Sequence, residues 1–179
     1  NMSNFRFIEM NVDVSKILRQ LHSRPDDWNY IRDLQGEGVD GDVDPYGFLP
    51  LTMALVDPGE DPKNAEKTEN TPLYKAHSET RKWLRRQGIM QTSRAAFFKL
   101  EPGDSVGRHI DEGTYYRTRD RYHLSLEGIY EYTVGDEMHI IQPGTFFWFD
   151  NDKPHEAYNC GNVDRLTFVF DVPKSDRNP

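Results

Sequence analysis

From residue 119 to residue 149 the chain reads RDRYHLSLEGIYEYTVGDEMHIIQPGTFFWF, short runs of Tyr, Phe, Val, Ile and Thr broken by Gly, Asp and Pro. The same texture extends outward to Arg94 on one side and Val172 on the other, with a break about every ten residues, as in antiparallel strands joined by tight turns. Strands are expected near Ala95–Leu100, Ser105–Ile110, Tyr122–Glu127, Tyr130–Val134, Glu137–Gln142, Thr145–Phe149, His155–Asn159 and Leu166–Val172. Such a set fits a jelly roll, whose two sheets open into a mouth able to hold a ligand.

Residues two apart on a strand point the same way. Arg119, Arg121, His123 and Ser125 therefore share one face, and Tyr122, Leu124 and Leu126 share the other. A face carrying two guanidinium groups and an imidazole predicts an anion-lined cavity. By the same alternation Arg165 and Thr167 project together, while Leu166, Phe168 and Phe170 turn to the core. A guanidinium inside a barrel needs a permanent anion to offset its desolvation, and Arg-x-Thr offers a bidentate cation plus a hydroxyl. That pair suits the far carboxylate of a dicarboxylate.

His109 and Asp111 are also two apart and can present an imidazole and a carboxylate to one point. His155, just past the turn-like Asp150-Asn151-Asp152-Lys153-Pro154, supplies a third ligand. Two imidazoles and one carboxylate occupy one face of an octahedron and leave three positions open, which suits ferrous iron that must bind a cosubstrate and O2. A structural zinc site would be closed.

Before Arg94 the pattern differs. Val14, Ile17, Leu18 and Leu21 fall at helical spacing, predicting a short amphipathic helix over Val12–Leu21. A second helix is expected over Ser78–Arg86, ended by Gly88. Between them, Gly36–Gly47 and Asp57–Asn70 read as loops. Asp40, Asp42 and Asp44 resemble the start of a calcium loop, but Pro45 stands where that loop needs Gly and Leu51 where it needs its bidentate Glu. The expected architecture is mainly β with flanking α. One domain spans residues 1–179, its helical and loop part (1–90) packing on a catalytic barrel (91–173), with the core mostly after residue 90.

Thirty acidic against 22 basic side chains give a formal net charge of −8, which argues against general binding to nucleic acid or anionic membranes. No apolar run is long enough to span a membrane and no secretory signal is visible, so a cytoplasmic location is expected. The single cysteine, Cys160, agrees with a reducing compartment and is expected to be buried. Asn1 ahead of Met2 is left out of the functional reading.

Taken in order, His109-x-Asp111, Arg121-x-His123-Leu124, Pro143-Gly144-x-x-x-Trp148-x-Asp150, His155-Glu156 and Arg165 resemble the aspartyl/asparaginyl β-hydroxylase-like branch of Fe(II)/2-oxoglutarate oxygenases. That branch includes hydroxylases of protein side chains and of free proline. The resemblance covers about Arg94 to Val172 and implies a cupin-like double-stranded β-helix. It also implies His109, Asp111 and His155 as iron ligands, Arg165 (with Thr167) holding the far carboxylate of 2-oxoglutarate, and Arg121 and His123 near the other carboxylate. Iron, 2-oxoglutarate and O2 would be required, with ascorbate as a stimulant, and succinate released as the substrate is hydroxylated. The animal protein hydroxylases of the branch lack the carboxylate ligand, so Asp111 makes this chain look more like the bacterial free-amino-acid hydroxylases. Asp111 also argues against halogenation, because a halide needs its position.

Two other functions fit the β pattern: a cupin-type metal enzyme that uses no 2-oxoglutarate, and a non-catalytic ligand-binding barrel. Arg165 discriminates against the former, whose usual site lacks a distal Arg. Tyr115, Tyr116 and Arg117 follow the His-x-Asp pair and border either a substrate entrance or an exposed loop. Arg119 either meets a substrate carboxylate or caps a loop. One of Phe147 and Trp148 must face inward, so Trp148 is a substrate candidate. His22 and His77, in the helical half with no partners, and His139, in an apolar strand, are expected to be surface or packing residues. The substrate, and the oligomeric state, carry no readable code.

Overall fold

The computed structural model describes residues 2–35 and 47–174, so the Asp40, Asp42 and Asp44 segment lies outside the described residues. Strand β1 (Phe5–Glu9) leads into α1 (Ser15–His22), a 3-10 turn (Pro25–Asn29) and α2 (Tyr30–Gln35); β2 (Phe48–Ala54), β3 (Thr68–Asn70), α3 (Leu73–Ala76) and α4 (Ser78–Arg86) follow. The second half forms β4 (Ala95–Leu100), β5 (Ser105–His109), the one-turn α5 (Thr114–Arg117), β6 (Arg119–Glu127), β7 (Tyr130–Val134), β8 (Glu137–Ile141), β9 (Phe146–Phe149), β10 (His155–Tyr158) and β11 (Arg165–Pro173). All eight strands expected after Arg94 are present, with ends shifted by a few residues.

Two antiparallel sheets result, one in the order β1-β9-β6-β11-β4-β2-β3 and one in the order β5-β10-β7-β8. From β4 to β11 the chain crosses between the sheets at nearly every turn, the winding of a double-stranded β-helix. Helices cover the outer face of the larger sheet. Ile17 and Leu21 of α1 and Trp83 and Leu84 of α4 pack there on Leu49, Phe97, Tyr122, Leu124, Phe168 and Phe170. Trp83 meets Phe146 edge-on at 4.9 Å, and burying each such side chain contributes about 1.5–3 kcal/mol. A second, mostly aromatic cluster fills the space between the sheets, with Phe5, Tyr130, Tyr132, Phe147 and Phe149 at its centre. The alternation read from β6 and β11 holds: Tyr122, Leu124, Leu126, Leu166, Phe168 and Phe170 face the helices, and Arg121, His123, Arg165 and Thr167 face the smaller sheet.

The first ninety residues do more than pack on a barrel. Among the described residues three strands lie there, as well as four α-helices instead of two, and residues 68–70 of the expected Asp57–Asn70 loop are β3. Phe5, Leu49 and Leu51 are buried core, so the core is not confined to the second half. Strand β2 (FLPLTMA) was disguised by Pro50, which cannot donate to a ladder. Its pairing with β4 shifts register between Pro50 and Thr52, and that irregularity absorbs the missing donor.

Candidate metal centre and adjoining cavities

Strand β10 begins where β5 ends. The register sets His155 directly across from His109, with ring centroids 4.3 Å apart. Each ring is fixed by its own strand: His109 Nδ1 lies 2.7 Å from the Gly107 carbonyl and His155 Nδ1 lies 2.8 Å from the Lys153 carbonyl. A carbonyl only accepts, so both Nδ1 atoms carry the proton and both Nε2 lone pairs point inward. They converge on Asp111 Oδ1, at 3.4 Å from His109 Nε2 and 3.5 Å from His155 Nε2. The three candidate ligand atoms all lie within 4.8 Å of one another, and two imidazoles with one carboxylate fit a divalent ion bound on one face. His155 and Asp111 are buried while His109 stands at the open rim.

The other carboxylate oxygen of Asp111 has different work. Arg121 Nη1 and Asn151 Nδ2 each approach Asp111 Oδ2 at 3.4 Å, leaving Oδ1 free to turn toward a metal. Burial opposes ionisation of Asp111, but the Arg121 guanidinium beside it favours the anion, and the carboxyl is held well below the usual range. Arg121 is anchored in turn by Asp171 and lies over the Tyr116 ring. It was expected beside a cosubstrate carboxylate. It does line the cavity, but its donors are committed to two carboxylates of the protein itself.

A cavity of about 140 Å³ adjoins the ligands and is lined by Phe98, Arg121, His123, Tyr132, Arg165 and Thr167 among others. Arg165 is only 4% exposed and lies over the Tyr130 ring at 4.9 Å. Its Nε, Thr167 Oγ1 and His123 Nδ1 are buried and have no hydrogen-bond partner among the described residues. Burial, with Arg165 and Arg121 next, depresses the His123 pKa well below the ordinary histidine value, so this imidazole is neutral and adds no second cation. A buried guanidinium with no carboxylate partner among the described residues, beside two orphaned polar atoms, has the chemistry to receive an organic anion.

The remaining candidates lie elsewhere. Tyr115 is fully buried and structural: its hydroxyl donates to Asp171 and accepts the Arg94 amide. Arg119 caps a loop, reaching Glu66, Ser93 and Thr118 rather than the cavity. Arg117 is exposed beside Glu112 and Asp152, and Tyr116 borders a neighbouring pocket. Phe147 is the inward member of its pair; Trp148 turns toward Tyr122 and the helices, its indole N–H donating to Asp120, so it is not part of this cavity. Cys160 is exposed, not buried, because it follows β10 in a surface turn. His22 and His77, expected to lack partners, have them: His77 is buried 2.8 Å from Asp27, and His22 is 3.3 Å from Glu127; His139 likewise lies 2.8 Å from Glu137. Sequence reading missed Asn151 and Asp171. Asn151 was signalled only by the polar turn before His155, and Asp171 by its alternation with Arg165 and Thr167.

A model of the family described as aspartyl/asparaginyl beta-hydroxylase matches residues 50–175, beginning in β2 rather than near Arg94, where the motifs begin. No curated protein matches the chain. Solved structures resembling it include a predicted oxalate decarboxylase from Thermotoga maritima (22% identity, 52% of this chain and 73% of that one, TM-score 0.40). Others are the cupin domain of Schizosaccharomyces pombe Cnp3 (12%, 46% and 56%, 0.40) and a Cupin_2 domain of an XRE family transcriptional regulator from Enterobacter cloacae (18%, 44% and 79%, 0.39). Among the described residues no helix is long and apolar enough to cross a membrane.

Proposed function

The chain belongs to the aspartyl/asparaginyl β-hydroxylase family, and from that premise we propose that it is an Fe(II)- and 2-oxoglutarate-dependent dioxygenase. It hydroxylates an amino acid, free or within a peptide, and releases succinate and CO2. One observation carries the reading: the buried, carboxylate-free Arg165 shares a cavity with three convergent ligand side chains. That cation offers a partner to an organic anion held beside the metal, as the far carboxylate of 2-oxoglutarate would be.

His109 Nε2, His155 Nε2 and Asp111 Oδ1 hold the iron, which when bound supplies O2 activation coupled to decarboxylation of 2-oxoglutarate. Arg165 and Thr167 bind the far carboxylate of the cosubstrate through charge-assisted bonds. His123 stands beside it as a neutral polar contact. Arg121 and Asn151 keep Asp111 turned toward the ion. Phe98, Tyr132 and Phe149 wall the cavity and exclude water.

Incubation of the protein with Fe(II), ascorbate and 2-oxoglutarate in air tests this. Succinate should form above the metal-free control and rise with the correct amino acid. No succinate, together with no binding of 2-oxoglutarate in titration, overturns the reading.

A further inference from the structure

Beside the Arg165 cavity lies a second one of about 400 Å³. Phe98, Arg121 and Val169 line both, so the two adjoin, and the smaller is bordered by His109 and His155. None of the described residues lining the larger pocket comes from the four-stranded sheet; they come from β2, the segment after it, Arg94 just before β4, β4 itself, α5, β6 and β11. The seven-stranded sheet is wider than its partner, and its uncovered inner face forms the floor. A substrate held here would lie beside the cavity that His109 and His155 border.

We propose that this pocket receives the substrate's side chain, that the side chain is apolar, and that it belongs to an amino acid whose free carboxylate meets Arg94. The inference rests on the hydroxylase reading above and gives it a substrate class. The wall is mostly apolar, with Phe48, Met53, Ala54, Val56, Ala96 and Phe98 among its residues. The few polar groups are largely occupied: Thr52 Oγ1 donates to Asn70 at 2.9 Å, and Arg121 is held by Asp171 and Asp111. An aspartyl or asparaginyl side chain here would lose water without gaining partners, whereas each buried methylene is favourable.

Arg94 is the exception. Its guanidinium donates to the Pro62 and Ala65 carbonyls and the Tyr116 hydroxyl, all neutral acceptors. Its Nε is buried and has no acceptor among the described residues. The pocket thus has an apolar body and, at one end, a cation for which no carboxylate partner is described, matching an apolar amino acid and not an internal residue of a peptide.

The test is calorimetric titration under nitrogen of the full chain loaded with Fe(II), first with 2-oxoglutarate and then with free amino acids, so that nothing turns over. L-Leucine, L-methionine or L-phenylalanine should bind about tenfold or more tighter than L-aspartate and L-asparagine. Leucinamide, which lacks the carboxylate, should bind about tenfold weaker than leucine. Ala54→Trp, which fills the pocket, and Val56→Asp, at a position already 40% exposed, should each erase the preference. Aspartate or asparagine binding as tightly as the best apolar probe overturns the proposal, as does leucinamide matching leucine or an unchanged preference in both variants. If 2-oxoglutarate gives no heat, the hydroxylase reading fails on its own evidence, and titration of the Fe(II) protein with the same probes still decides the side-chain preference.

Discussion

The Asp171 carboxylate grips the Arg121 guanidinium through two bonds, from Nε at 2.7 Å and from Nη2 at 3.0 Å, while Tyr115 donates to it at 2.6 Å. Since Arg121 also orients the metal-facing Asp111, the pair supports the site from behind. Asp171→Asn leaves a buried guanidinium short of its main counter-charge, and about 3–5 kcal/mol of stability should be lost in denaturant unfolding. Metal affinity should fall roughly 10–100-fold, as for other loosened supports of a ligand. A variant that is destabilised but binds metal as well as the parent would separate this pair from the site.

Arg165→Ala should separate the two halves of the site. The guanidinium reaches the cavity and not the ligand atoms, so affinity for 2-oxoglutarate should drop roughly 10–100-fold, the equivalent of one or two charge-assisted bonds. Metal affinity should stay within a few-fold of the parent. Parallel titrations with Fe(II) and with 2-oxoglutarate measure both, and equal losses would refute the assignment.

His155→Gln keeps most of the side-chain volume packed against Phe149, whose ring lies 5.1 Å from the imidazole. Turnover should vanish because the amide is a poor substitute for the imidazole lone pair, while the thermal midpoint should stay near that of the metal-free parent. Succinate formation at the parental rate would remove His155 from the metal set.

How much of this could be read without coordinates follows from the range of the physics involved. Alternation along β6 and β11 is local, so the division between helix-facing aromatics and inward Arg121, His123, Arg165 and Thr167 was visible in the chain itself. The bond between Arg121 and Asp171 depends on the cross-strand register of β6 with β11, which no single segment states. Pro50 concealed β2, and with it the floor of the larger pocket, because the compensating shift lies in the pairing with β4. Trp148 could be assigned to a face only once its partner Tyr122 was known.

His77 gives a pH dependence remote from the metal. Burial, only partly opposed by Asp27, lowers its pKa in the folded state below the unfolded value of about 6.5. The unfolded chain then binds more protons than the fold, so this term is fully favourable above about pH 6.5 and is lost as the pH falls below it. Urea unfolding at a series of pH values should show stability declining on the acid side of that point. His77→Gln should flatten the decline, and an identical slope in the variant would assign it to other groups.

Gly128 ties the turn between β6 and β7 to the anion site. Its φ is +82°, and a Cβ there would lie 2.7 Å from the Asp164 carbonyl oxygen and 3.0 Å from Arg165 Cα. Both are backbone atoms, which cannot swing aside as a flexible side chain could. Gly128→Ala therefore adds the cost of a left-handed backbone, about 1 kcal/mol or more, to a displacement of the strand that begins at Arg165. The metal ligands sit on β5, β10 and the segment after β5, so metal affinity should change little. Affinity for 2-oxoglutarate should fall because the guanidinium moves from its place over Tyr130. If the variant loses stability yet binds 2-oxoglutarate as the parent does, the close approach sets only the fold and not the position of Arg165.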